Sequence, residues 1–291
     1  MRLEQFATPD PVQLRVKIPA GDIRVQTHDS PMTDVQISGD NETLLDRIVV
    51  DHVNQAGRDV VSVELRDGSL FSRWRGGDVD VSVKVPDRAS LELSTASADV
   101  RADGGFEAVS ADTASGEVAV DRADEVSIKT ASGDVRVGTV SGVADVKTAS
   151  GDITCAAVGS RSQLATASGD VSITASAGDD LTVSSASGDI HAVTIIYGRF
   201  RTASGDIRVD RVTAGASTFN AVSGDVTVGV AAGAAVRVDA ETISGELRSE
   251  ISLGDEPAEP TADDDPSGAA VSLHIRTVNG DVRIVRASAG G

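Results

Sequence analysis

Acidic residues recur along this chain at nearly constant spacing, each directly after the glycine of a Ser-Gly pair. If the chain coils regularly, these carboxylates form a column that could bind cations such as Ca²⁺. Ca²⁺ takes about 6–8 oxygen ligands, so two stacked carboxylates would leave most of its shell to water. The members of the column are Glu117, Asp134, Asp152, Asp170, Asp189, Asp206, Asp225 and Glu246.

A structural role accounts for the same residues without a metal. A carboxylate that caps the backbone N–H groups of its own corner gains roughly 1.5–3 kcal/mol. Repulsion between like charges about 5 Å apart in water costs only about 1 kcal/mol. We therefore predict structural corners without metal or other cofactor, and cation binding is the third functional hypothesis. The predicted structural corner residues are Gly116, Gly133, Gly151, Gly169, Gly188, Gly205, Gly224, Gly245, Asp134, Asp152, Asp170, Asp189, Asp206 and Asp225.

The spacing of the motif predicts the architecture that carries it. Residues at the glycine position lie 17 to 21 apart from position 98 to 245, and the last step, to Gly280, is about twice as long. Such a period is typical of a solenoid, in which each repeat forms one coil stacked on the next. We predict an all-β, single-domain parallel β-solenoid with coils of about 18 residues, wound in the right-handed sense that parallel crossovers prefer.

Each coil is predicted to contain two strands joined by a tight corner. In the segment 125–137 (EVSIKTASGDVRV), apolar and polar residues alternate on both sides of the Ser-Gly pair. A period of two indicates strands, and glycine supplies the positive φ that we expect at the corner. The alternation also turns a threonine inward just before many corners, as at Thr130, Thr148, Thr166 and Thr202.

The alternation predicts the core of the solenoid. We expect the first strand after each corner to bury Val118, Val120, Val135, Val137, Ile153, Cys155, Val171, Ile173, Ile190, Ile207, Val209, Val226 and Val228. We expect the strand before the corner to bury Val126, Ile128, Val146, Leu164, Leu181, Val183, Phe200, Phe219, Val236 and Val238.

One outward column changes character along the chain. It holds alanine from Ala114 to Ala203 but becomes Val222, Ile243 and Val278 in the last repeats. Either the corner rotates these three side chains inward, or that end of the solenoid is covered.

Four segments subdivide the chain. Residues 11–93 are expected to form irregular N-terminal coils and a cap, and residues 94–250 the regular coils. The segment 254–268 contains six acids, no base and three prolines, so we predict a disordered acidic insertion. Residues 271–285 are expected to form the final coil.

Composition excludes several partners. Aromatic residues make up 2% of the 291 residues and the net charge is −19, which argues against nucleic acid and anionic membrane surfaces as partners. No run approaches the ~18 apolar residues of a membrane-spanning helix, and the first residues lack the apolar core of a signal peptide. We expect no membrane insertion and a cytoplasmic location.

An enzyme is the runner-up hypothesis. Polysaccharide-active β-helix enzymes use clustered carboxylates in a groove, often with aromatic residues that stack on sugar rings. Here acidic residues recur uniformly and no pair is distinguished, and the four histidines show no metal-ligand spacing. We predict no enzymatic activity and no catalytic residues.

One segment departs from the acidic composition. It places Phe71, Arg73, Trp74 and Arg75 next to two glycines, and it contains the only tryptophan. Tryptophan and arginine dominate binding hot spots, so these four residues are candidates for contact with a partner. The alternative is that Trp74 plugs the end of the solenoid core.

Three segments and the repeated TASGDV corners resemble a bacterial family of β-strand-repeat, adhesin-like proteins called toastrack domains. The segments are VKIPAGDIRV, residues 75–83 (RGGDVDVSV) and residues 85–93 (VPDRASLEL). The resemblance covers nearly the whole chain and implies a solenoid of unknown function without known catalytic residues. It also implies that some members are linked to envelope-stress sensing through fused membrane segments. We therefore expect a rigid scaffold or adhesin-like interaction module that binds another protein or itself.

Overall fold

The computed structural model describes residues 1–39, 45–66, 77–178, 180–251 and 270–287. The described chain forms an all-β parallel solenoid, as predicted. It divides into two compact units, Met1–Asp152 and Ile153–Gly291.

The described residues of the first unit form twelve strands. They are β1 (Arg2–Ala7), β2 (Val12–Ile18), β3 (Asp22–His28), β4 (Met32–Gly39), β5 (Ile48–Gln55), β6 (Arg58–Leu65), β7 (Val79–Pro86), β8 (Ser90–Thr95), β9 (Asp99–Asp112), β10 (Val118–Lys129), β11 (Val135–Val140) and β12 (Ala144–Lys147). Strands β3, β9, β10 and β11 pair in parallel in that order, as do β2, β8, β9, β10 and β12.

Antiparallel pairs distinguish the N-terminal part of this unit. Strand β4 pairs antiparallel with both β1 and β7, and β5 and β6 form an antiparallel hairpin. Two-residue hairpins and reversals need antiparallel neighbours, whereas parallel neighbours need a full crossover. The hairpin turn is made by Ala56 and Gly57, both with positive φ.

Thirteen strands lie in the part of the second unit that the structure describes. They are β13 (Ile153–Val158), β14 (Ser162–Thr166), β15 (Val171–Ser176), β16 (Leu181–Ser187), β17 (Ile190–Ile195), β18 (Gly198–Ser204), β19 (Ile207–Val212), β20 (Gly215–Ser223), β21 (Val226–Val230), β22 (Ala235–Ser244), β23 (Leu247–Ser249), β24 (Ala270–Asn279) and β25 (Val282–Arg286). Strands of successive coils pair in parallel throughout this unit.

The last coil in the chain is not the last coil in the stack. Strand β24 lies between β20 and β22, and β25 lies between β21 and β23. Among the strands in the described ranges, the coil of β22 and β23 therefore ends the stack. Its inward positions include Ala240 and Ser249, whereas β24 and β25 place Ile275 and Ile284 there. Burying the more apolar coil on both sides removes more apolar surface from water, which favours this order.

The predicted core is largely confirmed. Every residue of the two inward sets is buried except Val236 and Val238, which are half-buried because they belong to the end coil. Phe200 and Phe219 stack in neighbouring coils with ring centroids 5.2 Å apart and planes 12° from parallel. The inward threonines Thr130, Thr148, Thr166 and Thr202 are also buried, as predicted.

Candidate functional site

The corner carboxylates bind the next coil rather than their own corner. In each described pair, one Oδ1 accepts a hydrogen bond of 2.8–3.0 Å from the backbone N–H of the acidic residue in the adjacent coil. Their role differs from the own-corner cap expected from the sequence because stacking brings the neighbouring N–H closer. The acceptors are Asp99, Asp134, Asp170, Asp189, Asp206, Asp225 and Asp281.

The cap of the own corner is made by threonine. Gly133 N donates to Thr130 Oγ1 at 2.9 Å, and Gly151 N donates to Thr148 Oγ1 at 3.0 Å. The Thr148 hydroxyl in turn donates to the carbonyl of Gly133 in the preceding coil at 3.4 Å. The Thr148 hydroxyl thus satisfies a buried donor and a buried acceptor that would otherwise be desolvated without a partner.

Close approach of neighbouring coils requires glycine at these corners, and a positive φ accompanies it at some of them. Gly116, Gly133 and Gly188 lie outside the left-handed region. A Cβ on Gly188 would lie 2.0 Å from the carbonyl oxygen of Gly169, and one on Gly133 would lie 2.0 Å from that of Gly116. A side chain at Gly133 or Gly188 would therefore push neighbouring coils apart. The positive φ expected from the sequence is found at the corners of Gly205 and Gly224, with values of +154° and +158°, but not at these three corners.

The row of corner carboxylates is poorly arranged to bind a metal ion. Within the described ranges, no group of three or more His, Cys, Asp or Glu side chains is arranged to hold a metal ion. Each acceptor carboxylate also commits one oxygen to a backbone N–H. The geometry of the row is that of a ladder that joins coils.

A buried carboxylate and a half-buried histidine form a pair near the hairpin of β5 and β6, and sequence reasoning missed it. Asp59 is only 2% exposed. Its carboxylate accepts hydrogen bonds from Asn54 Nδ2 at 2.9 Å and from Asp10 N at 3.1 Å, and His52 Nε2 lies 3.1 Å away. Burial raises the pKa of Asp59, but these hydrogen bonds outweigh burial and hold the pKa below its ordinary value. Asp59 lies two positions before the buried Val61 in the same strand. The alternation of the sequence was therefore enough to place Asp59 on the inner face.

The outward histidines lie at the surface, as the sequence indicates. His191 Nε2 is 3.0 Å from Asp210 Oδ2, and His274 Nδ1 is 3.2 Å from Asp239 Oδ2. Cys155 is fully buried, and burial raises its pKa to about 12. A thiol in that state is a packing residue and not a nucleophile.

Two predicted features lie outside the described residues. They are the partner-binding candidates Phe71, Arg73, Trp74 and Arg75, and the acidic segment 254–268.

The candidate functional site is the open end of the second unit, formed by β22 and β23. The inward residues Val236, Val238 and Ala240 of β22 continue the columns of the buried residues Val271, Leu273 and Ile275. They are themselves only half-buried, and Leu247 of β23 is 46% exposed. Among the strands that the structure describes, β24 alone pairs with β22 and β25 alone with β23.

An exposed apolar row runs to this open end. Val222, Val278 and Ile243 are 51%, 38% and 76% exposed. They lie in adjacent coils, because the following residues Ser223, Asn279 and Ser244 are paired in register. The corner does not rotate these side chains inward, which removes the first of the two explanations for their apolar character. We call the row and the edge strands β22 and β23 together the open-end surface.

Comparisons with known proteins extend over the whole chain. The structure of a "putative adhesin" from Parabacteroides merdae is 11% identical, covers 98% of this chain and 96% of its own, and has a TM-score of 0.46. A "putative adhesin" from Parabacteroides distasonis is 12% identical, covers 97% and 96%, and has a TM-score of 0.45. A "putative lipid binding protein" from the same organism is 14% identical, covers 98% and 96%, and has a TM-score of 0.39.

Three further results concern this chain. No protein with a curated description matches it. In the part that the structure describes, no helix has the length and apolar character needed to cross a membrane. The model of the Toastrack DUF4097 family matches residues 14–285, and the chain belongs to that family.

Proposed function

We propose that this chain is a non-enzymatic, adhesin-like interaction module that binds a protein partner at its open-end surface. The observation that carries the proposal is the apolar row of Val222, Val278 and Ile243 beside the edge strand β22. Contiguous apolar side chains exposed next to an unpaired edge are typical of a surface that another chain covers.

The physical basis is strand addition. An extended partner segment can bind an exposed sheet edge through main-chain hydrogen bonds, while pockets and apolar rows select its side chains. Burial of Ile243 and Leu247 against a partner would each contribute up to about 1.5–3 kcal/mol, reduced by the part already covered. The earlier coils hold Ala186 and Ala203 in the same column, so within the described part of this column the large apolar side chains lie at this end.

The ladder supports a non-enzymatic role. Its carboxylates are evenly spaced and bonded to backbone N–H groups, as Asp189 is to Asp206 N. A glycosidase needs two carboxylates about 5–10 Å apart across a substrate groove, with different environments. The evenly spaced carboxylates of the ladder do not provide this difference in environment. Turnover of an acidic polysaccharide by the purified chain would contradict this part of the proposal.

Site-specific photo-crosslinking tests the open-end surface. A benzophenone side chain at Ile243 is expected to yield a discrete crosslinked protein in cells that produce the chain. The same probe at Ala186, an exposed residue of the same column, serves as the matched control. Val278→Lys should abolish the product from position 243 without changing the melting temperature. Equal products from positions 243 and 186, or none from either, would overturn the proposal.

A further inference from the structure

We infer that the partner of the open-end surface is a second copy of this chain, joined end to end through antiparallel pairing of β22 with its counterpart. This inference rests on the proposed function and identifies the partner. It follows from three properties of β22: the direction of its backbone groups, the absence of blocking residues, and the order of its charges.

The backbone of β22 presents hydrogen-bonding groups toward the open side. Ser244 O accepts a hydrogen bond from Gly280 N, so the carbonyl of Ser244 points toward the neighbouring coil. Backbone groups of successive residues in a strand point to opposite sides. Along the unbroken register from Ala235 to Ser244, the N–H and C=O groups of Arg237, Asp239 and Glu241 therefore point away from β24.

Strand β22 lacks the features that usually block edge pairing. It has no proline, and its inward residues Val236, Val238, Ala240 and Thr242 are uncharged. Strand β1 provides the contrast within the same chain. Its Arg2 and Glu4 pair with the buried Ile37 and Val35, so charged side chains lie on the inner face of that edge. Inward charges oppose the addition of a strand.

The charge order of β22 complements itself when the strand runs antiparallel to a copy. With Val238 opposite Val238 of the copy, Arg237 faces the Asp239 of the copy, and Asp239 faces its Arg237. Opposite charges across a strand pair stabilise it, and like charges destabilise it. The register with Asp239 opposite Asp239 of the copy also pairs Arg237 with Glu241, but it places two like charges directly opposite each other at its centre, so it is less favourable.

The same register also matches the apolar residues. Val236 then lies opposite Ala240 of the copy, so the core columns continue across the junction. Ile243 lies opposite the segment 232–234 of the copy, whose residues are Ala, Gly and Ala. These small side chains leave room for the most exposed apolar side chain of the row, which is 76% exposed in the single chain.

Sedimentation velocity on the full chain over a range of concentrations tests the pairing. We expect a monomer–dimer equilibrium that ends at two chains, because a two-fold interface is closed. Arg237→Asp should weaken dimerisation by about tenfold, since two attractive pairs become repulsive. The double variant Arg237→Asp with Asp239→Arg restores opposite charges and should dimerise as the wild type does. Arg201→Asp, on an exposed outward residue of an inner coil, is the control for net charge.

Each other outcome overturns the inference. Monomers at all concentrations would exclude self-pairing. If the amides of β22 were protected from hydrogen exchange in that monomer, the edge of β22 would be paired with another segment of the same chain. Assembly into oligomers larger than a dimer would mean that a surface other than the open-end surface takes part. An unchanged dimer in Arg237→Asp would exclude this register. Crosslinking of Ile243 to a different protein in a monomeric chain would leave the proposed function intact and reject only the second copy.

Discussion

Asp225 Oδ1 accepts a hydrogen bond of 2.8 Å from the backbone N–H of Asp281, a residue 56 positions later. Asp281 Oδ1 then accepts one, also of 2.8 Å, from Glu246 N. The ladder thus passes through the C-terminal coil before it reaches the coil that precedes it in the chain. This order produces an end coil with half-covered apolar residues, which is the candidate functional site.

Removal of residues 270–291 tests this order. Because β22 and β23 pair with β24 and β25, we expect the deletion to unfold the coil 235–249 as well. Hydrogen exchange read by mass spectrometry should show unprotected amides in 235–249, while β18 keeps its protection. If β22 instead stays protected, it must pair directly with β20, and the observed order of coils would not be needed for stability.

Gly188→Ala is expected to destabilise the protein by about 2 kcal/mol or more. The added Cβ would lie 2.0 Å from the carbonyl oxygen of Gly169, and backbone atoms of both coils would have to move. Gly105→Ala is the matched control, because a Cβ there meets no atom within 4 Å. Its effect should stay within about 1 kcal/mol in either direction. Urea unfolding followed by circular dichroism measures both, and equal effects would contradict the close-approach explanation.

The ladder carboxylates are expected to act as hydrogen-bond acceptors rather than as charges. Asp206→Ala removes the acceptor of Asp225 N and should lower the free energy of unfolding by about 1 kcal/mol. Asp206→Asn keeps an oxygen at the same place and should have a much smaller effect. A loss as large in the asparagine variant as in the alanine variant would show that the charge matters.

The buried Asp59 carboxylate beside His52 predicts a pH-dependent stability. Because the pKa of Asp59 is lowered in the folded chain, its stabilisation is present above the unfolded value of 3.8 and is lost as pH falls through the folded pKa. Asp59→Asn should therefore cost about 2 kcal/mol at pH 7. The difference from the wild type should shrink in acid.

Urea midpoints of both chains between pH 7 and pH 3 measure this difference. Asp51→Asn, an exposed position on the same hairpin, controls for the loss of one acidic side chain. A difference between wild type and Asp59→Asn that does not change with pH would refute the assignment to the Asp59 carboxylate.

Cys155 is expected to be unreactive in the folded chain. Burial raises its pKa to about 12, so at pH 8 the thiolate that attacks disulfide reagents is scarcely populated, and the side chain is inaccessible. Titration with a chromogenic disulfide should detect no thiol in native buffer and one thiol per chain in 8 M urea, about the concentration that unfolds most domains. Rapid reaction in native buffer would indicate opening of the coil around β13.

Residue patterns predicted the coils well because each coil repeats a local rule. The alternation around Val135 and Val137 identifies the inner face, and the same phase in later coils identifies Ile207 and Val226. The pattern was less informative at the corners. It named the glycines and aspartates of the corners but connected them within one coil, whereas their contacts run between coils.

The sequence alone determined the period, the strand faces and the corner residue types of this protein, because these depend on neighbours a few positions apart. Only the tertiary structure decided that Asp281 bonds to Asp225, that Asp59 is buried beside His52, and that β22 ends the stack. These contacts join residues distant in the chain. Their choice depends on which coil buries more apolar surface and which polar groups need partners, and neither quantity can be read from one repeat.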